Sequence, residues 1–431
     1  MVKQEIQRSR SLWLDYVIIG VLVLMSGTPV VMGGIRAEAF TVMAAVFLVI
    51  VLLFRKEPPF MPRFVVVVSV LAGILIIQCI TFDFWPFHTM IGFMLRLFIG
   101  YAAVHLVKEF PKRYIRFMFC LCLISFCFHP FAILREAAGI NLIQYFEPVN
   151  RLVRPYQGIN VVVHHFMGYG KQLSEDFTPN PLRNGSCFWE PSVFSAYLVL
   201  AIVLLGITKS SFEKRQYRRI LAVLVIALLT TMSTAGYALL PLCLLFHVRD
   251  LPLTRKQVPI LLGFALLVAI FSVVAYRLDF VGGEMKEHLD EIAYRETGWE
   301  TQRFGSFVYN LEYIKQRPFF GWGLNYNTRF MDSSGVAPKV TANGLADFAA
   351  VFGLVGLLTA LTAIWWGMHQ FVGRKWMLSI LFLLFVVMEL NGDRLLQFST
   401  YLGLMFLEPM PKNRYSILGF ESSAITGYKE I

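Results

Sequence analysis

Apolar residues fall in long unbroken runs separated by short polar blocks over almost the whole chain. Runs at 12–32, 39–54, 64–80, 89–107, 114–134, 188–207, 258–276, 344–366, 376–390 and 395–409 stand out. Most approach the roughly 20 residues that a helix needs to cross about 30 Å of hydrocarbon. The stretch 220–248 is too long for one comfortable span and short for two.

Sidedness bears on that stretch. Basic blocks stand between the runs at Lys3/Arg8/Arg10, Arg55/Lys56/Arg63, Lys108/Lys112/Arg113/Arg116, Lys209/Lys214/Arg215/Arg218/Arg219, Arg249/Arg255/Lys256, Arg374/Lys375 and Lys412/Arg414. Cytoplasmic loops of membrane proteins carry such an excess. All the blocks share one side only if 220–248 is a pair of short helices turning near Ser233-Thr-Ala-Gly236. A single tilted helix is the alternative. The pattern therefore predicts an all-α, polytopic membrane protein of about 12 transmembrane helices with both ends inside. It forms one integral membrane domain over 1–431.

Composition agrees: 57% of residues are apolar and 16% charged, with a mean hydropathy of +0.61, which excludes an ordinary soluble globule. A net charge of +11 would suit nucleic acid. The basic residues are instead dispersed between spans, so no nucleic-acid partner is expected. Five of the six cysteines, Cys79, Cys120, Cys122, Cys127 and Cys243, lie inside apolar runs; only Cys187 is near a predicted outer loop. No disulfide framework or CxxC metal site follows. The N-terminal segment mimics a signal peptide, but its apolar region exceeds the usual stretch of about 7–15 residues. An uncleaved first span is expected.

This topology leaves two long outer loops, 135–187 and 277–343. Loops longer than about 15 residues are usually functional or disordered; these carry aromatics and apolar periodicity, which predicts order. In the second, Phe304, Phe307, Val308, Leu311 and Ile314 recur at helical spacing. They predict a helix over 303–317 that stops before Pro318, with Gly321-Trp-Gly323 as the following turn. A second amphipathic stretch runs through Met285, Leu289, Ile292 and Ala293. Such helices can lie along the bilayer interface.

Candidate chemistry gathers at the outer face. Pro191 suits a first helical position, so the sixth span should start there with Glu190 as its cap and Arg183 just above. Charges near hydrocarbon are costly unless they pair or meet a charged substrate. The two residues can form an interfacial salt bridge, or they can serve a substrate together with a second cation. Arg303 is the candidate for that cation. It opens the predicted loop helix, where a positive charge opposes the dipole, and an anion on the free N–H groups would remove the conflict. Guanidinium forks suit phosphate oxygens.

Metal and cofactor chemistry find no support. His164 and His165 are adjacent rather than four apart, and the outer loops lack Asp-x-Asp. There is no Gly-x-Ser-x-Gly elbow, and Gly321-x-Gly323 lacks the residues of a phosphate loop. Asp15, Arg96, Glu389 and Arg394 are ionisable groups inside spans. Asp15 and Arg394 sit near span ends, where snorkelling is cheap; Arg96 is mid-span and calls for an internal partner.

These residues, in this order, resemble the O-antigen polymerase and ligase superfamily, and within it the Wzy-type polysaccharide polymerases. Arg183-Asn-Gly185 with Phe188-Trp-Glu190-Pro191 and Phe194 is similar to that family's start of a span. Ser233-Thr-Ala-Gly236-Tyr237 looks like its turn between two short helices. Arg303 followed by Pro318-Phe-Phe-Gly321-Trp-Gly323 resembles its arginine before a Pro-x-x-Gly-x-Gly turn. Asn343, Phe352-Gly353 and Val355-Gly356 resemble the end of its large outer loop and the next span. The likeness covers roughly 180–370. Two departures stand out: the ligases' His-Asn is Ala342-Asn343 here, and the usual Ser-Arg is Ser233-Thr234. The missing histidine favours polymerase over ligase and leaves the general base unassigned.

The resemblance implies a membrane glycosyltransferase that joins undecaprenyl-diphosphate-linked oligosaccharide units into O-antigen, capsule or exopolysaccharide. It would act at the periplasmic face of the bacterial inner membrane, without metal or cofactor. Arg183, Glu190 and Arg303 would be catalytic, while Gly185, Ser233, Gly321, Gly323, Asn343, His164 and His165 would bind substrate. Glu190 is the first choice of base, with His164 and His165 as alternatives. Membrane lipid, a chain-length regulator and a flippase are the expected partners. A ligase that transfers glycan to lipid A-core is the nearest rival. A transporter or flippase is the rival of another class, and would show repeated halves with broken helices.

Overall fold

The computed structural model describes residues 2–28, 34–56, 60–138, 183–188, 190–248, 303–325, 328, 343–372, 375–390 and 395–408. Among them all regular structure is helical. In chain order the α-helices are α1 (Val2–Leu24), α2 (Gly34–Arg55), α3 (Pro62–Phe82), α4 (Phe87–Leu106), α5 (Phe110–Ala138), α6 (Pro191–Ile207), α7 (Lys214–Thr230), α8 (Thr234–Val248), α9 (Arg303–Gln316), α10 (Gly344–Phe371), α11 (Lys375–Leu390) and α12 (Ser399–Gly403). Glu38–Arg55, Pro62–Phe82, Phe87–Leu106 and Gly344–Phe371 are long and apolar enough to cross a membrane. Leu53 at 74% and Phe54 at 82% exposure continue an outward apolar face on α2, which suits lipid rather than water.

One boundary and one whole element differ from the sequence expectation. The first run was expected to span 12–32, but α1 ends at Leu24 and a buried turn follows. Tyr197 donates its hydroxyl to the Ser26 carbonyl, and Ser26 Oγ accepts the Thr400 N–H at 2.9 Å. The turn therefore has interior polar partners that a continued helix would forfeit. The run 395–409, expected as a span, holds only α12 and a 3-10 turn, Leu404–Phe406. Five helical residues rise only about 7.5 Å. This piece packs inside, where Gly100 and Gly403 let its backbone meet α4 so closely that a Cβ on Gly403 would sit 2.9 Å from the Gly100 carbonyl. The expected span 258–276 and the stretch 285–293 lie outside the described residues. The paired short helices expected in 220–248 are present as α7 and α8.

One end of the bundle is basic and holds itself together through those charges. Asp15 is fully buried rather than snorkelling. Arg55 reaches it at 2.6 Å and Arg113 pairs with its other oxygen. Arg55 also donates to the Leu106 carbonyl. At the same end Arg63 donates to Met405 O at 2.9 Å and Gln370 Oε1 at 3.0 Å, while His105 meets Glu408 at 2.8 Å. Asp15 thus ties α1, α2 and α5 together, and Arg63 and His105 add a second set of contacts at the same end. Removing one member of a buried pair strands the others and costs about 3–5 kcal/mol. Arg96 finds its expected interior partner in the Leu396 carbonyl, at 3.4 Å.

At the opposite end α10 is broken. Gly353 has φ 69° and ψ −178°, a region essentially reserved for glycine. The break frees carbonyls at Ala350 and Val351 and N–H groups at Leu354 and Val355. The turn after α9 takes all of them: Trp322 N–H bonds Ala350 O at 2.9 Å and Gly323 N–H bonds Val351 O at 3.0 Å. In return Leu354 N–H reaches Pro318 O at 2.7 Å and Val355 N–H reaches Phe319 O at 3.2 Å. Backbone groups in an apolar bundle must be satisfied internally, and this turn does so. Gln78 adds a clamp from α3, its Nε2 donating to Val351 O at 2.7 Å and to Phe320 O.

Gly353→Ala is predicted to lose about 1–3 kcal/mol or more of stability, because its methyl would meet the Phe319 carbonyl. Gly73→Ala, where a Cβ meets nothing within 4 Å, should be tolerated. Thermal unfolding of the two detergent-solubilised variants checks the contrast, and equal melting temperatures would refute it.

Candidate active site around Arg183 and Glu190

Residues 183–188 form a loop pinned beneath the turn between α7 and α8. Asn184 is the pin. Its N–H bonds Thr230 O at 2.9 Å and its Nδ2 donates to Thr230 Oγ1 at 3.0 Å. Its Oδ1 accepts from Ser125 Oγ on α5 at 2.6 Å and from the Ser186 N–H at 3.0 Å. Asn184 is 3% exposed, so these bonds form away from water, where an unmade one is expensive. Phe188 anchors the same loop, fully buried against Phe194 and Tyr197 with ring centroids 5.4 and 4.5 Å away.

That anchoring aims Arg183. Its Nε donates to Thr231 O at 3.3 Å, while the terminal nitrogens make no further hydrogen bond or ion pair among the described residues. The guanidinium is half-buried, fixed at its root and open at its fork. No ion pair joins it to Glu190 among the described residues, so the salt-bridge alternative is not the arrangement found.

Glu190 occupies the cap position of α6, as Pro191 indicated, but its carboxylate does not cap the helix. Its Oε2 accepts from Ser192 Oγ at 2.9 Å instead. The positive end of the α6 dipole is left facing the loop. Cys187 sits between Arg183 and Glu190 in sequence, and burial pushes its thiol up to about 12. It is therefore an uncharged packing group, and it is free, as are the other five cysteines.

Several residues expected to bind substrate have evident duties in the scaffold. Ser233 Oγ accepts the Gly236 N–H at 3.3 Å, capping α8, and lies 3.0 Å from the Ser195 hydroxyl of α6. Gly236 permits that approach, since a Cβ there would be 2.9 Å from Leu228 and 3.1 Å from Ser195. Asn343 caps α10, its Oδ1 accepting the Ala346 N–H at 3.0 Å. Gly321 and Gly323, with φ 68° and 94°, shape the turn that repairs α10. Gly185 has ordinary space around it. Arg303 opens α9 where the sequence set it, but its side chain, like all of His164 and His165, lies outside the described residues. No cluster of three or more His, Cys, Asp or Glu suited to a metal occurs among the described residues.

The residues that sequence reasoning overlooked are amides and hydroxyls. Asn184 lay in plain view between two emphasised neighbours. Ser125 and Gln78 were single polar groups in apolar runs, a signal noted only for charged residues.

Residues 220–361 match the sequence model of the O-antigen ligase family. This match supports a place for residues 220–361 in the O-antigen polymerase and ligase superfamily. The match covers about a third of the chain, from within α7 to within α10. It includes the α7–α8 turn, Arg303, the repairing turn and Gly353, whereas Arg183 and Glu190 precede it. No curated protein matches the chain. Across the boundary of the superfamily domain run the bonds from Arg183 and Asn184 to Thr231 and Thr230.

Asn184→Ala would orphan several buried groups, at about 1–3 kcal/mol. The expected results are a lower melting temperature and faster amide exchange confined to 184–188. Unchanged exchange in that loop would mean that Asn184 does not hold it.

Proposed function

We propose that the protein is a polysaccharide polymerase that joins lipid-linked oligosaccharide units by glycosyl transfer at the outer face of the inner membrane. The observation that carries this reading is the Arg183 guanidinium, held at its root by Thr231 of the matched region, with no other partner for its fork among the described residues. A growing glycan on undecaprenyl diphosphate is the donor, and the terminal sugar of a fresh lipid-linked unit is the acceptor. The acceptor hydroxyl forms a bond to the anomeric carbon while the bond from that carbon to the diphosphate oxygen breaks. The electron pair leaves with the diphosphate.

Diphosphate is already a competent leaving group, so the site chiefly stabilises its charge. Donors fixed in advance at developing charge commonly supply the largest catalytic effect. Arg183 and Arg303 are assigned to that task. The hydroxyl proton goes to Glu190, with His164 or His165 as the alternative acceptor. The basic end of the bundle faces the cytoplasm on this reading. Arg183 and the turn closing α9 then lie at the periplasmic end, within loops 135–187 and 277–343. Residues 395–408 are not a continuous helix, but they carry the chain from Leu396 beside Arg96 back to Glu408 beside His105, so the chain returns to the cytoplasmic side on this reading.

A ligase that attaches glycan to lipid A-core is the second reading. It is favoured by the description of the matching family as O-antigen ligase. Ala342 in place of a histidine weighs against it.

In a deletion strain complemented with variants, Arg183→Ala and Arg303→Ala should each reduce glycan polymerisation by about 100-fold or more, with single repeat units accumulating on the lipid carrier. Arg→Lys should recover little, because the bidentate fork is lost. Near-normal chain lengths in all four variants, with membrane levels unchanged, would remove the assignment. Full-length chains that fail to attach to lipid A-core would instead identify the ligase.

A further inference from the structure

Most guanidinium groups at the basic end of the bundle are taken up by the fold. Arg55 and Arg113 hold Asp15, and Arg63 reaches Met405 O and Gln370. Arg116 of α5 stands over the Phe212 ring, its Cζ 6.0 Å from the centroid, which sets the start of α7 at the same end. Lys214, Arg215, Arg218 and Arg219 follow there, all of them exposed. Among the described residues none of the four makes an ion pair or a hydrogen bond through its side chain. Glu213 is the single carboxylate in 209–230.

The helix carries these charges on the side turned away from the protein. Tyr217, Ile220, Leu224, Ala227 and Leu228 are its buried face. Arg215, Arg219, Ala222, Ile226 and Leu229 recur at alternating steps of four and three, the spacing of one stripe along a helix. Arg218 flanks the stripe, one turn before Ala222. Ala222 is exposed, and Ile226 and Leu229 are 52% and 45% exposed. The stripe therefore begins as guanidinium and continues as hydrocarbon. From Arg219 to Leu229 it rises about 15 Å, the depth of one leaflet of a hydrocarbon core about 30 Å thick.

We propose that this face of α7 binds one molecule of diphosphatidylglycerol from the cytoplasmic leaflet. Basic residues at that surface attract anionic lipid, and the number of forks selects which one. One guanidinium can take both free oxygens of a phosphodiester, so a lipid with a single phosphate leaves most of the cluster unserved. Diphosphatidylglycerol carries two phosphodiesters on one headgroup. Arg215 and Arg219, about 6 Å apart along the helix axis, each meet one of them, with Arg218 between. The acyl chains lie along Ala222, Ile226 and Leu229. A soluble polyanion would engage the cations but not the apolar continuation. The site is distinct from the proposed centre of glycosyl transfer, because Arg183 bonds the opposite end of the same helix, at Thr231.

The test is native mass spectrometry of the full chain in dodecyl maltoside, titrated separately with diphosphatidylglycerol and with phosphatidylglycerol at equal phosphate. The wild type should retain diphosphatidylglycerol more tightly by about tenfold or more. Arg215→Gln/Arg219→Gln should weaken that retention by about tenfold or more. Lys56→Gln/Lys108→Gln removes the same charge from exposed positions at the same end and should retain the lipid as the wild type does. Exposed substitutions of this kind leave stability nearly unchanged, so equal melting temperatures should confirm that both variants are folded. Equal losses in the two double variants would show that net charge alone acts, and would overturn the proposal. Unchanged retention in folded Arg215→Gln/Arg219→Gln overturns it as well. So does phosphatidylglycerol bound as tightly as diphosphatidylglycerol, because the second phosphate would then contribute nothing.

Discussion

An interrupted helix in an apolar bundle must find partners for the backbone groups that it releases, and α10 finds them in one short turn. Four backbone hydrogen bonds join 318–323 to 350–355. Each would otherwise leave a donor or acceptor unsatisfied in a medium with no water to replace it. Much follows from this repair. It fixes the end of α9 and therefore the course of the segment that begins at Arg303. It brings Trp322 onto Phe82 and gives Gln78 of α3 two carbonyls to clamp. Two glycines with positive φ face each other across the junction, and a methyl on either would collide with the other strand's backbone.

The same rule operates at the loop that carries Arg183, although there side chains do much of the work. The α7–α8 turn exposes carbonyls at Thr230 and Thr231, and the loop carrying Arg183 supplies their donors. Asn184 turns one polar side chain into a junction of three elements, since α5, the loop and the turn all bond to it. At the far end the junction is ionic instead, with Asp15 between Arg55 and Arg113. Ionic clustering secures the basic end, and neutral hydrogen bonds secure the other.

Hydropathy made the helices legible because burial in lipid or protein demands continuous apolar runs. The start of α6 at Pro191, the paired helices α7 and α8, and α9 from Arg303 followed from proline, sidedness and periodicity respectively. Hydropathy could not show that 395–409 folds inward, since an interior segment and a spanning one are equally apolar. The difference lies in Gly100 and Gly403, whose close approach is a tertiary fact. Nor could spacing alone show that Arg183 and Glu190 remain unpaired: seven residues of loop permit either outcome, and the Asn184 bonds decide it.

Resemblance to a family therefore carries two kinds of information, which the structure separates. Gly321, Gly353, Gly236, Ser233 and Asn343 have conformations, contacts or hydrogen bonds that the scaffold itself requires. A protein could share them while lacking any particular chemistry, because they solve problems of backbone satisfaction and helix contact. Arg183 differs: among the described residues one nitrogen bonds the fold and the rest of the fork meets no partner. Among the described residues no counter-charge pairs with this half-buried cation, a cost that stability alone does not explain. An anionic substrate would supply the missing partner, so the claim of Arg183 to chemistry rests on what the fold declines to use.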